Sequence, residues 1–258
     1  MSIPFRYAAL VYRVVSVILI AIGLARVLGL VRGTPVWGAL TFYTTLSNVL
    51  CLVWMLVLVV ATIRDLRVEG PRGLSTPSPR FGGAVMEAIT VTMLIYLVVL
   101  VPSAFVQAGD YEPFTLTDNL IHIITPCLLI GDWLLFSPKG RFRWVDPLLW
   151  ALIPYAYLVY AFTWSALGGT FGNVGRYPYP FMNVDELGIG GVAWQIVVLT
   201  VALVAVGYVY VVLDRLLARA AAKRARAADA PTQDASIPDA EATTAAAPRP
   251  GASAPRPR

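Results

Sequence analysis

The chain has 258 residues, of which 58% are hydrophobic and only 14% charged. A soluble domain carries about a quarter charged residues, so this composition excludes an ordinary soluble fold. The net charge of +5 does not point to nucleic acid, because the basic residues gather in alternate loops between apolar runs.

Six such runs follow in chain order, at about residues 8–30, 41–63, 84–105, 119–136, 147–164 and 191–213. About 20 residues rising about 1.5 Å each cross the hydrocarbon core of a bilayer. Lipid cannot satisfy backbone polar groups, so each run is predicted to be a transmembrane helix. The alternation a membrane barrel needs is missing from stretches such as residues 56–61. The first run is too long for a signal-peptide core and is expected to be retained. Cys51 and Cys127 both fall inside predicted spans, which argues against a disulfide framework. The expected fold is therefore all-α and polytopic, with residues 1–217 forming the six-helix membrane domain.

Orientation follows from the loops. Arg64, Arg67, Arg72 and Arg80 lie on one side, joined by Lys139, Arg141 and Arg143 and by Arg215, Arg219, Lys223, Arg224 and Arg226. The other side has Arg32 and Arg176 in its loops, where Asp110, Glu112, Asp185 and Glu186 gather. The positive-inside rule predicts that both termini are cytoplasmic, which is the parity an even number of spans requires. Residues 214–229 are expected to continue the last helix. The rest of the tail (218–258 taken as a unit) becomes Ala- and Pro-rich and is expected to be disordered.

Polar residues inside spans are costly and tend to face the bundle interior. On the fourth span Asp118, His122, Thr125 and Asp132 share one helical stripe, and His122 is the only histidine of the chain. A carboxylate one turn away can hold one imidazole nitrogen and raise the basicity of the other. Pro126 cannot donate to the carbonyl of His122, so a kink is expected there. The plainer alternative makes Asp118 an N-cap and His122 a packed, hydrogen-bonded side chain. On the second span Thr41, Thr45 and Asn48 share a face. Thr45 and His122 each lie four residues inside the outer boundary, about 6 Å deep at 1.5 Å per residue. A hydroxyl and a base at one depth, near two helix N-termini, are the minimum for nucleophilic acyl transfer. Asn48 or backbone N–H groups are the candidate oxyanion donors. The alternative for Thr45 is a hydroxyl bonded back to the Thr41 carbonyl.

Other charges suggest structure. Glu87 and Asp132 share the cytoplasmic level and are expected to pair with Arg64 or Arg80 or to face a polar cavity, while Arg13 and Arg26 are expected to snorkel to headgroups. Residues 176–181 (RYPYPF) are expected to cap the outer mouth of the bundle. A lone histidine supplies neither bis-histidine haem ligation nor a zinc site, and no phosphate-binding or nucleophile-elbow motif is present, so no cofactor or metal is expected.

The pattern Y-x-T-x-x-N at residues 43–48, followed by N-x-x-H-x-x-x-P at 119–126, resembles the androgen-induced-protein family. Those are six-span membrane proteins, some of which hydrolyse fatty acid esters of hydroxy fatty acids with a threonine and a histidine. The basic spacing, the acidic third loop and the RYPYPF loop are similar to bacterial "Pr-six-Pr" membrane proteins. The resemblance covers about residues 5–215 and implies Thr45 as nucleophile and His122 as base, with Thr44 as the neighbouring alternative. Asp118 as orienting acid rests on spacing alone. The expected function is hydrolysis of a lipid ester in a bacterial plasma membrane, with membrane lipids as partners. The rival is a non-enzymatic lipid or solute carrier, or a scaffold.

Overall fold

The computed structural model describes residues 2–102, 113–172 and 174–228. Asp110 and Glu112 of the acidic loop, and the tail beyond Ala228, lie outside the described residues. Six helices are long and apolar enough to cross a membrane: α1 (Arg6–Val27), α2 (Tyr43–Glu69), α3 (Pro79–Leu100), α4 (Leu116–Phe136), α5 (Asp146–Ala166) and α6 (Val184–Ala228). No strand occurs among the described residues, so the fold is an all-α bundle of the multi-pass type.

Helix limits follow local chemistry. Ser78 caps α3 by accepting a hydrogen bond from the Phe81 N–H at 3.4 Å, and Pro79 takes the first helical position, where its missing N–H costs nothing. Thr115 caps α4 in the same way through the Asp118 N–H at 3.2 Å. In α6, Gly188 has φ 65° and ψ 169°, so the first turn stands off and the straight apolar run begins beyond it. The continuation of α6 through the basic segment extends to Ala228.

The core groups Ile20 and Leu24 of α1 with Cys51, Met55 and Leu58 of α2, Val85 and Ile89 of α3, and Leu129 and Trp133 of α4. Close approach of α1 to α4 depends on Gly23, where a Cβ would sit 3.2 Å from Ile121 Cγ2 and 3.2 Å from Leu120 Cβ. A second cluster ties α5 to the loop that follows it, through Tyr43, Tyr157, Ala161, Phe171 and Met182. The RYPYPF segment belongs to this cluster. Tyr179 stacks on Phe181 with centroids 5.3 Å apart, and its hydroxyl accepts the Thr44 N–H at 3.4 Å at the start of α2.

The charged residues pair differently from the expectation. Arg13 does not snorkel. It is fully buried, and its Nε donates to Asp132 Oδ1 at 2.7 Å while Nη2 reaches Oδ2 at 3.3 Å. Its Nη1 donates to Thr62 Oγ1 at 2.6 Å and to the Ser75 carbonyl at 2.8 Å. Asp132 therefore pairs with neither Arg64 nor Arg80. Arg64 holds Asp65 and Arg80 holds Asp146. The reason is lateral position: α1 packs on both α2 and α4, and this brings the Arg13 fork onto the Asp132 carboxylate. Arg26 bonds Thr117 Oγ1 through Nε at 3.0 Å. Glu87 has no hydrogen-bond partner among the described residues.

Removing one member of a buried ion pair strands the other in a low dielectric, whereas removing both does not. Arg13→Ala and Asp132→Ala are each expected to lower stability by about 3–5 kcal/mol. The double variant Arg13→Met/Asp132→Leu should lose clearly less than the two single losses combined, as measured by unfolding in nanodiscs followed by tryptophan fluorescence.

Candidate functional site

α2 and α4 run side by side at their N-terminal ends, and Asn48 is the link. Its Nδ2 donates to the Ile121 carbonyl at 3.0 Å and to the Thr44 carbonyl at 2.8 Å. The need for that link begins with Pro126. In an uninterrupted α-helix its missing N–H would leave the His122 carbonyl unpaired. The chain instead forms a π-turn over Asn119–Ile124, in which the Thr125 N–H bonds the Leu120 carbonyl five residues back. In that register the group that Pro126 fails to satisfy is the Ile121 carbonyl, one residue earlier. Asn48 supplies the missing donor. The expected kink is thus a π-turn, and the free carbonyl is that of Ile121.

With both amide protons given to carbonyls, Asn48 cannot serve as the expected oxyanion donor. Its Oδ1, fully buried, has no hydrogen-bond partner among the described residues, and this atom is an acceptor.

His122 lies on the π-turn, 7% exposed. Its Nδ1 is 3.1 Å from the Asp118 backbone carbonyl and 3.9 Å from Asp118 Oδ1. The carbonyl, not the expected carboxylate, is the hydrogen-bond partner. The carboxylate accepts the hydroxyl of Thr115, the N-cap three residues earlier, at 2.7 Å. A carbonyl can only accept, so in the neutral ring Nδ1 carries the proton and Nε2 presents a bare lone pair; the tautomer is assigned from this network. The ring lies flat on Tyr96 of α3, with centroids 4.1 Å apart and planes at 9°. Tyr96 opens a second π-turn, Tyr96–Leu100, and its hydroxyl accepts the Phe114 N–H at 2.9 Å. Two π-turns on facing helices therefore meet at one stacked pair, and such turns are frequent at functional sites.

Tyr96 was not singled out from the sequence. A depth argument finds it: Tyr96 lies about one turn before the C-terminal end of α3, at the end of the bundle where α4 begins and carries His122.

Thr45 is 2% exposed and faces the same side of α2 as Asn48. Buried helical hydroxyls elsewhere return to a carbonyl of the preceding turn: Ser16 to Tyr12, Thr62 to Leu58, Thr90 to Met86, and Thr92 to Ala88. Thr45 does not, because Thr41 lies in a separate 3-10 turn (Trp37–Thr41) and its carbonyl accepts the Tyr157 hydroxyl at 3.1 Å. No hydrogen bond joins Thr45 to His122 either. The backbone N–H of Thr45 also makes none of the hydrogen bonds that link α2 to the preceding turn. Thr125, the third member of the stripe, bonds the Leu120 carbonyl at 2.9 Å, and Asp132 is committed to Arg13 at the far end.

A cavity of about 80 Å³ lies between α2, α3, α5 and α6 beneath Tyr179 and Phe181. Thr44, Thr92, Tyr155 and Thr200 give it a few hydroxyls within an apolar wall of residues such as Val91, Leu158 and Leu203. Thr44, not Thr45, lines it. Among the described residues no three His, Cys, Asp or Glu side chains gather as metal ligands would.

If Asn48 satisfies the carbonyl that Pro126 leaves free, Asn48→Leu should destabilise the bundle by about 1–3 kcal/mol. Pro126→Ala returns an N–H to the helix and should recover part of that loss in the double variant. Equal losses in both backgrounds, measured by thermal unfolding, would break the link between the two residues.

Comparison with protein-family models, with curated proteins and with solved structures finds no match to this chain.

Proposed function

We propose that the protein is a membrane-embedded hydrolase of a lipid ester, with Thr45 as nucleophile and His122 as general base. The supporting observation is the uncommitted chemistry near the N-terminal ends of two adjoining helices. Thr45 keeps its hydroxyl free where comparable hydroxyls bond back to the helix, and His122 turns a bare Nε2 away from a fixed Nδ1–H. In the proposed reaction Thr45 Oγ attacks the ester carbonyl as Nε2 takes its proton. The oxyanion forms at the positive N-terminus of α2, where the Thr45 N–H is available as donor. Collapse expels the alcohol, which receives the proton from His122. Water then attacks the threonyl ester with His122 again as base, releasing the fatty acid and restoring the hydroxyl. The pair is not hydrogen-bonded in the free protein, and catalytic hydrogen bonds commonly tighten only when substrate is bound. The resemblance to the androgen-induced-protein family and its bacterial relatives favours the same two residues.

The second reading, a lipid carrier, is favoured by the cavity under Tyr179, which neither Thr45 nor His122 lines. Both readings place the protein in a bacterial plasma membrane with its termini in the cytoplasm, an orientation carried by the arginine distribution.

Thr45→Ala and His122→Ala should each abolish release of fatty acid from lipid esters by protein in nanodiscs, and the double variant should be no worse than either single one. Asp118→Asn should cost little, since the backbone carbonyl orients the ring. Thr44→Ala should retain activity. Wild-type protein that cleaves no ester in a broad panel would favour the carrier, and activity surviving Thr45→Ala would refute this nucleophile.

For orientation, cysteines at Val68 and Leu167, which are 78% and 80% exposed, should react oppositely with an impermeant thiol reagent in intact cells. Leu167→Cys should label and Val68→Cys should not. The reverse pattern would invert the site.

A further inference from the structure

Glu87 is the acid that the arrangement above leaves unused. It lies on α3, 1% exposed, and neither carboxylate oxygen has a hydrogen-bond partner among the described residues. Two other helices close on it. A Cβ on Gly207 of α6 would fall 2.4 Å from Glu87 Oε1 and 2.7 Å from Pro147 Cβ at the start of α5. Gly207 is therefore what lets α6 and α5 seat directly on this carboxyl group.

Among the described residues, no ion pair joins a basic side chain to it. Arg80, two turns earlier on α3, is bonded to Asp146 at the start of α5. Arg13 is bonded to Asp132, and Lys139 donates to the carbonyls of Trp133 and Ser137. The helices packed on α3 present phenols nearby, Tyr210 on α6 and Tyr43 on α2. Tyr210 bonds Thr90 Oγ1 at 2.8 Å, and the Tyr43 hydroxyl donates to the Ala88 carbonyl at 3.1 Å. Asp214, two turns beyond Gly207 on α6, accepts the Phe142 N–H through Oδ2 at 3.0 Å. An ionised carboxylate without a hydrogen bond or counter-ion inside a membrane bundle is among the most costly groups a fold can hold.

Position gives the acid a use. Val91 and Leu203 line the cavity under Tyr179, and they stand one helical turn above Glu87 and Gly207 on the same two helices. The floor of the cavity and the Glu87–Gly207 contact are thus consecutive layers of one α3–α6 seam.

We propose that Glu87 is a proton-binding site that governs this seam: the packing described here is that of the carboxylic acid, and loss of the proton separates α3 from α6 at Gly207 and admits water to the floor of the cavity. The ligand is the proton itself. An ionised Glu87 needs water donors that the Gly207–Pro147 wall excludes, so ionisation and closure compete. This inference is independent of the Thr45–His122 reading, because its residues lie on other helices and its readouts do not involve ester cleavage.

Two measurements on the full chain in nanodiscs test it. Infrared difference spectra between about pH 5 and about pH 9 should show a protonated-carboxyl carbonyl band that bleaches as pH rises. The band should be absent in Glu87→Gln and displaced, not lost, in Glu87→Asp, which keeps an acid at the position. Separately, thiol labelling of Leu203→Cys should accelerate with pH beyond the intrinsic thiol effect, which Leu203→Cys in the Glu87→Gln background measures. A rise at least several-fold larger with Glu87 present supports the proposal. Absence of any carboxyl band that depends on residue 87 overturns the proton site, and equal acceleration in the two backgrounds overturns its control of the seam.

Discussion

The buried fork between Arg13 and Asp132 is the constraint on which one half of the bundle, the half where α1 begins and α4 ends, depends. A guanidinium in a low-dielectric interior is tolerable only when its donors are met. Here the carboxylate of α4, the Thr62 hydroxyl of α2 and the Ser75 carbonyl in the α2–α3 connection meet them together. Thr62 is in turn fixed by donating to the Leu58 carbonyl at 2.6 Å. One side chain thus sets the lateral positions of three segments that apolar packing alone would leave free to slide, since lipid and leucine are equally apolar and the hydrophobic effect does not choose between helix neighbours. Arg6 repeats the device one level out, donating to the carbonyls of Gly70 and Arg72 at 2.8 and 2.7 Å.

The other half, where α2 and α4 begin, is organised by a shortage of donors. Pro126 removes one N–H from α4, the π-turn moves the resulting vacancy to Ile121, and Asn48 fills it from α2. The same π-turn carries His122, so the register shift that accommodates Pro126 also sets where the imidazole lies and brings it flat against Tyr96. The polar groups at this level are held with unequal commitment: Asn48 has spent its donors, His122 has spent one nitrogen, and Thr45 has spent nothing. That inequality, not polarity as such, separates a candidate reactive pair from a set of satisfied intramembrane polar groups.

The two halves also differ in what they leave exposed to change. The Arg13 network is closed, whereas the α3–α6 seam contains a carboxyl group packed against glycine and proline with nothing to hydrogen-bond. Packing of α5 adds to this asymmetry. Its outward residues Leu152 and Val159 are 61% and 67% exposed, so α5 relies on the aromatic cluster around Tyr157 and Phe171 and on the Tyr155–Thr200 hydrogen bond of 2.8 Å to α6.

The sequence by itself determined the six apolar helices, because length and hydropathy are local and lipid permits no other backbone solution. It also placed Thr45 and Asn48 on one face and His122 at the matching depth, since helical period and rise are fixed numbers. Partners were another matter. Depth along a helix says nothing about rotation about its axis or about which helices are neighbours, so Asp132 found Arg13 instead of Arg80, and Glu87 found no one. Nor could spacing alone distinguish the Asp118 carboxylate from its carbonyl as the partner of His122, because both lie one turn away. The choice was made by Thr115, whose hydroxyl claims the carboxylate, and by the π register that Pro126 imposes. Those are tertiary and register effects: they depend on which donor is already in use, and only the folded arrangement of all the helices decides that.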